Sequence, residues 1–241
     1  MKLRNKLLIL AAFAMTFGVG ACSSPTVQLA FKRAHLTSQQ TYYVPAEQFK
    51  TAQFAPPPAS DSDAQKADLA AILDWQQKRT EADCAKSTLT SNATYDSFWG
   101  DKSPFPQPLP AEVKKFFDRL SSDLDSAVSV MKDRYGRPRP YNAYPDQAKP
   151  CIRKSWGNSY PSGHASFSRV FADVLTDIVP ERKAEFFAKA DEIALDRVIG
   201  GVHFPTDIAA GKVFGDQFHA ELLKSPGYQQ DIERMKSLLV K

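Results

Sequence analysis

From Asp63 to Leu239 the apolar residues of this chain recur at helical spacing, and strand-like alternation is nearly absent. Leu69, Ile72, Leu73 and Trp75 mark one face of a helix predicted over residues 63–88, a stretch without Gly or Pro. Val113, Phe116, Phe117, Leu120, Leu124 and Val128 mark a second helix, opened by Pro110 and running to about residue 134. A third opens at Pro161, buries Phe167, Val170, Phe171, Val174, Leu175 and Ile178, and ends at Pro180. Further helices are expected over residues 181–199, where Gly200-Gly201 stops the run, over 206–223 and over 228–239. The Pro-rich stretches 95–110 and 138–150 read as irregular connections. The expected fold class is all-α, a single-domain helical bundle with long Pro-rich loops.

Ahead of the helices stands a different kind of segment. Lys2, Arg4 and Lys6 form a basic start, and residues 7–19 are apolar but shorter than a membrane span needs. Val19-Gly20-Ala21-Cys22 closes the run, so residues 1–21 are expected to be an export signal peptide. Small residues before a cysteine make Cys22 the candidate lipidation site; ordinary signal-peptidase cleavage nearby is the alternative. Residues 22–62, with Pro45, Pro56, Pro57 and Pro58, read as a linker or an arm packed on the domain, and 63–241 as the domain itself. The expected location is the periplasm, with a lipid tether to the outer membrane if Cys22 is acylated. Setting Cys22 aside leaves Cys84 and Cys151 as an even pair in an oxidising compartment, where a disulfide between them is expected. The formal net charge is +4, and three of those charges belong to the signal segment; the balance gives no reason to expect a nucleic-acid partner.

Three clusters carry the chemistry. In Ser159-Tyr160-Pro161-Ser162-Gly163-His164, a helix start offers the Ser162 hydroxyl, the Gly163 and His164 N–H groups and the helix dipole to an oxyanion. In Arg197-Val-Ile-Gly-Gly-Val-His203-Phe-Pro-Thr-Asp207, Asp207 can accept a hydrogen bond from one imidazole nitrogen of His203 and leave the other free to attack. Gly200-Gly201 lets Arg197 fold back toward the same point. In the third cluster, Lys132 and Arg139 stand seven apart across a Gly/Pro break and supply a mobile point charge and a planar fork of donors. Each cluster alone has a plainer reading: a capped helix, a His–Asp cap, a solvated basic run that includes Arg134 and Arg137. Together they supply a nucleophile with its orienter, a second histidine as acid, three cations and an anion nest, which is an inventory for phosphoryl transfer. No Cys/His cluster has metal-ligand spacing, and no metal or other cofactor is expected.

Lys132-x6-Arg139-Pro140, Pro161-Ser162-Gly163-His164 and Arg197-x5-His203-x3-Asp207 together resemble the signature of the PAP2 phosphatase superfamily. Within it, Lys132-Asp-x-Tyr-x-Arg-x-Arg-Pro, Gly157-Asn-Ser-Tyr-Pro-Ser-Gly-His and the export signal resemble the bacterial class A non-specific acid phosphatases, over roughly residues 63–225. The resemblance implies the PAP2-type helical bundle and metal-independent hydrolysis of phosphate monoesters, inhibited by vanadate. His203 would become phosphorylated, Asp207 would orient it, and His164 would protonate the leaving group and then activate water. Lys132, Arg139, Ser162, Gly163 and Arg197 would bind the phosphoryl oxygens. The expected partner is a small phosphomonoester, with homo-oligomerisation left open. Asp196 departs from the family, which usually has Ser before that arginine; adjacent helical residues do not face one another, so Asp196 is expected to point away from Arg197. The alternatives are a vanadium-dependent haloperoxidase, a tethered phosphatase of lipid headgroups, and a surface lipoprotein that binds phosphate-bearing ligands without turnover.

Overall fold

The computed structural model describes residues 40–99, 103 and 107–239. The signal segment, Cys22 and His35 lie outside them. Among the described residues the chain is helical and forms no strand. The principal helices are α1 (Asp63–Lys78), α2 (Glu81–Leu89), α3 (Tyr95–Trp99), α4 (Ala111–Tyr135), α5 (Pro140–Ala143), α6 (Gly163–Ile178), α7 (Lys183–Ile199), α8 (Pro205–Leu222) and α9 (Pro226–Leu239).

The helix predicted over residues 63–88 is two helices. Arg79 is extended, and Thr80 starts α2 with a capping box: its hydroxyl accepts from the Asp83 N–H at 3.2 Å and Asp83 Oδ2 accepts from the Thr80 N–H at 2.8 Å. A cap of this kind stabilises a helix start by about 1 kcal/mol, enough to favour a break that neither Gly nor Pro announces. The connection 95–110 contains the short α3, whose Tyr95, Phe98 and Trp99 are all buried, and the connection 138–150 contains α5. Pro161 does not open α6. Ser162 is the N-cap and Gly163 the first helical residue.

The hub is α6, packed along both α7 and α8. Its apolar face, with α4 and the Phe214/Phe218 side of α8, forms the main core. Close approach of α8 requires Gly211: a Cβ there would stand 2.6 Å from the Ser162 carbonyl oxygen and 2.8 Å from the Ala165 Cβ. That approach lets the Ser162 N–H donate to the Asp207 carbonyl at 3.0 Å, which brings the start of α6 to the start of α8. Between α7 and α8, Gly201 adopts φ +76°, a left-handed turn that only glycine takes readily. The turn folds back so that the Val202 and His203 N–H groups donate to the Arg197 carbonyl.

Residues 40–62 lie along the bundle and bury Val44 and Phe49 in the main core. Their anchor is Asp123 of α4, whose carboxylate accepts from the N–H groups of Tyr42, Tyr43 and Val44 at 3.0, 2.6 and 3.0 Å. A disulfide joins Cys84 of α2 to Cys151, tying α2 to the loop that leads toward α6. No helix among the described residues is long and apolar enough to cross a membrane.

Candidate active site

His203 stands in the turn before α8 and is 2% exposed. Its two ring nitrogens face different partners. Nε2 lies 3.0 Å from Nη1 of Arg139. Nδ1 lies 3.4 Å from Asp207 Oδ2, a long contact, and 3.2 Å from the Ser159 hydroxyl. Ser159 Oγ donates to Asp207 Oδ2 at 2.5 Å, so its lone pairs are turned to receive the Nδ1 proton. Asp207 therefore orients His203 both directly and through Ser159. Sequence reasoning gave Ser159 no role.

Asp207 is itself firmly held. Its Oδ2 accepts the Phe204 N–H at 2.9 Å, and its Oδ1 accepts from Arg137 Nη1 at 2.6 Å. The plainer reading of Arg137 as part of a solvated run fails: Arg137 is buried, its guanidinium lies over the Phe204 ring at 4.3 Å, and its other arm donates to Gln65 Oε1 and Asp68 Oδ2 at 2.6 and 2.7 Å. Gln65 and Asp68 are buried residues of α1 that sequence reasoning missed. The available signal was position: Gln65 and Asp68 stand seven and four residues before Ile72 and so continue its helix face.

Arg139 and Lys132 converge on the loop before α6. Arg139 Nε donates to the Gly157 carbonyl at 3.0 Å and Nη1 to that of Val202 at 3.0 Å. Lys132 Nζ donates to the Asn158 carbonyl at 2.6 Å, and Asn158 Nδ2 returns a bond to the Lys132 carbonyl at 2.9 Å. Gly163 sits beside this lysine, since a Cβ there would lie 3.9 Å from Lys132 Cε. Ser162 is fully buried; its hydroxyl accepts the Ala165 N–H as the cap of α6.

The opposite wall is the end of α2. Arg197, 2% exposed, donates through Nη2 to the Ser87 carbonyl and to Thr90 Oγ1, the latter at 2.7 Å, and through Nη1 to Ser91 Oγ at 3.4 Å. Its buried Nε has no hydrogen-bond partner among the described residues. His164 Nε2 donates to the Ser91 carbonyl at 2.8 Å, which fixes that nitrogen as the protonated one. Ser87, Thr90 and Ser91 also escaped sequence reasoning.

The cluster is cationic, and both histidines respond. Burial, then the positive charge of Arg197, pushes His164 down to about 4; the bond to Ser91 works the other way and is outweighed. Burial, Arg139 and Lys132 hold His203 well below its ordinary value. His203 is thus a neutral imidazole with Nδ1 oriented and Nε2 beside a guanidinium. The arrangement suits a nucleophilic nitrogen facing an anion-binding cluster. His219, outside the three clusters, bonds Asp177 Oδ2 at 2.8 Å at the C-terminal end of α6.

Residues 123–229 match the model of the PAP2 superfamily. The chain is 28% identical over 170 residues to a non-specific acid phosphatase of Providencia stuartii, which covers 69% of this chain and 67% of that protein. It is 26% identical over 216 residues to a non-specific acid phosphatase of Salmonella typhimurium, covering 83% of this chain and 84% of that protein. Among solved structures it shares its fold with a bacterial vanadium-dependent iodoperoxidase, at TM-score 0.55 and 21% identity over 74% of this chain; it spans about half (53%) of that longer protein.

Proposed function

We propose that this chain, whose residues 123–229 match the PAP2 superfamily model, is an exported acid phosphatase of that superfamily that hydrolyses phosphate monoesters through a phosphohistidine on His203. The observation that carries the reading is the pair of contacts on one ring: Nε2 beside Arg139, Nδ1 on Ser159 and Asp207.

The chemistry follows from those contacts. A phosphoryl group drawn to Arg139 is brought against Nε2 of His203. The Nε2 lone pair forms a P–N bond as the P–O bond to the alcohol breaks. Positive charge then develops on the ring, and Asp207 and Ser159 stabilise it at Nδ1. Lys132, Arg139 and Arg197, with the N-terminus of α6, neutralise the charge on the phosphoryl oxygens. The departing alkoxide takes a proton from His164. Because Nε2–H of that ring is committed to Ser91, the transferable proton sits on Nδ1. His164 then removes a proton from water, the water oxygen attacks phosphorus, the P–N bond breaks, and inorganic phosphate leaves.

An arriving phosphate dianion raises the pKa of His164, which burial and then the positive charge of Arg197 hold at about 4. The acid therefore gains its proton together with the substrate, and activity belongs on the acidic side of neutrality. Protein side chains supply the positive charge that a metal pair supplies elsewhere. The signal-like segment at residues 1–21 and the Cys84–Cys151 disulfide support export to an oxidising compartment.

The test is hydrolysis of a chromogenic phosphomonoester by the purified protein, with and without chelator, followed by acid-labile phosphoenzyme trapping. Turnover below neutral pH that survives chelation, with label lost in His203→Ala, is expected. No turnover by the wild type, or full activity in His203→Ala, would sink the reading.

A further inference from the structure

Asp196, the residue before the Arg197–Asp207 cluster, is given no role by this chemistry. It lies beside Arg197 on α7 and is 1% exposed. The two side chains leave the helix in different directions, yet both end on Thr90 at the C-terminus of α2. Thr90 Oγ1 accepts from Arg197 Nη2 at 2.7 Å and donates to Asp196 Oδ2 at 2.9 Å. A hydroxyl has one proton, and its strongest acceptor here is the carboxylate, so its lone pairs are left facing the guanidinium. Asp196 thereby decides how Thr90 points, and Thr90 fixes one arm of Arg197.

The charges tell the same story. A guanidinium as deeply buried as Arg197 is costly without a counter-charge. Burial lowers its pKa to about 10, and Asp196 is the charge that acts in the opposite direction. Three of its five N–H donors are used by Ser87, Thr90 and Ser91, and Nε, which has no partner among the described residues, is one of the two available to a ligand.

Resting on the phosphatase reading for the identity of that ligand, we propose that Asp196, acting through Thr90, is the built-in counter-charge of Arg197. As a positioning residue, it holds Nη2 on α2, keeps Nε for a phosphoryl oxygen, and caps how tightly the site retains phosphate. A carboxylate one hydroxyl away from the anion-binding guanidinium opposes a phosphate dianion and favours release of the product.

The test measures inorganic phosphate, both as a product inhibitor and by calorimetry. In Asp196→Asn the amide oxygen still accepts from Thr90 while the charge is gone. Phosphate should bind about fivefold more tightly, as expected for removing one nearby charge in a partly screened site, and KM should fall with Ki while kcat does not rise. Thr90→Val should weaken phosphate binding and raise KM, and Thr90→Ser should restore both. Unchanged or weaker phosphate binding by a folded Asp196→Asn overturns the proposal. If that variant does not fold, the Thr90 pair decides: unchanged phosphate binding in Thr90→Val overturns it. A wild type that binds phosphate without turning over esters refutes the phosphatase reading alone, and calorimetry still decides the role of Asp196. A wild type that does not bind phosphate refutes both.

Discussion

Arg139 touches the imidazole of His203: Nη1 of the arginine lies 3.0 Å from Nε2. The same guanidinium reaches three backbone carbonyls, those of Gly157, Val202 and, at 3.4 Å, Trp156. It thus couples His203 to the loop that precedes α6, and only a planar fork can serve both directions at once. Arg139→Lys keeps the charge and loses the fork. Its kcat/KM should fall by about 100-fold or more, measured by steady-state kinetics on protein whose Tm confirms folding.

Ser159 divides the orienting work with Asp207. Ser159→Ala leaves His203 with the direct 3.4 Å contact alone. The loss of one bridging hydrogen bond is worth about 1 kcal/mol, so kcat should drop roughly five- to tenfold with KM little changed. A kcat equal to wild type would show that Asp207 orients the ring unaided.

Arg137 supports Asp207 from inside the bundle. Its guanidinium joins Asp207 to Asp68 at 2.6 and 2.7 Å, with all three side chains buried. Arg137→Met leaves two carboxylates without their cation, and chemical denaturation should show a loss of about 3–5 kcal/mol. Asp68→Asn, which removes only one charge and keeps an acceptor, should cost less.

The two site histidines make stability depend on pH in a defined direction. Both have folded pKa values below the ordinary 6.5, His164 at about 4. Between those values the unfolded chain binds more protons, so stability falls as pH drops below 6.5 and the His164 contribution levels off near 4. His164→Gln should flatten the decline in Tm over that range, and inorganic phosphate should restore wild-type Tm by favouring the protonated ring in the folded state. An unaltered slope in His164→Gln would contradict the burial of a neutral imidazole.

The disulfide is tied to function through α2, the helix whose end supplies the contacts to Arg197 and His164. Cys84→Ser with Cys151→Ser opens a loop spanning 67 residues. The loss of stability should be about 4 kcal/mol on chain-entropy grounds. In protein that still folds, KM should rise more than kcat falls, because the α2 contacts to Arg197 loosen before the contacts of His203 do.

The sequence alone determined the helices and the three clusters because their signals are local. Apolar spacing, Gly201, Pro205 and the Ser162 cap act within a few residues of where they stand. The same locality explains the misreadings at Thr80 and Pro161, where a cap outweighed a composition rule. It also explains why Lys132, Arg139, His164, His203 and Asp207 were legible: each lies inside a short motif. What only the tertiary structure decided is what holds those residues in place. Asp68 and Arg137 are 69 positions apart, and Thr90 and Arg197 are 107 apart. No periodicity links such pairs. They become neighbours because α6 packs on α7 and α8 and because the Cys84–Cys151 link fastens α2 against them. Burial then turns ordinary polar side chains into obligatory partners, since an unpaired charge inside the bundle would cost more than the fold can spare.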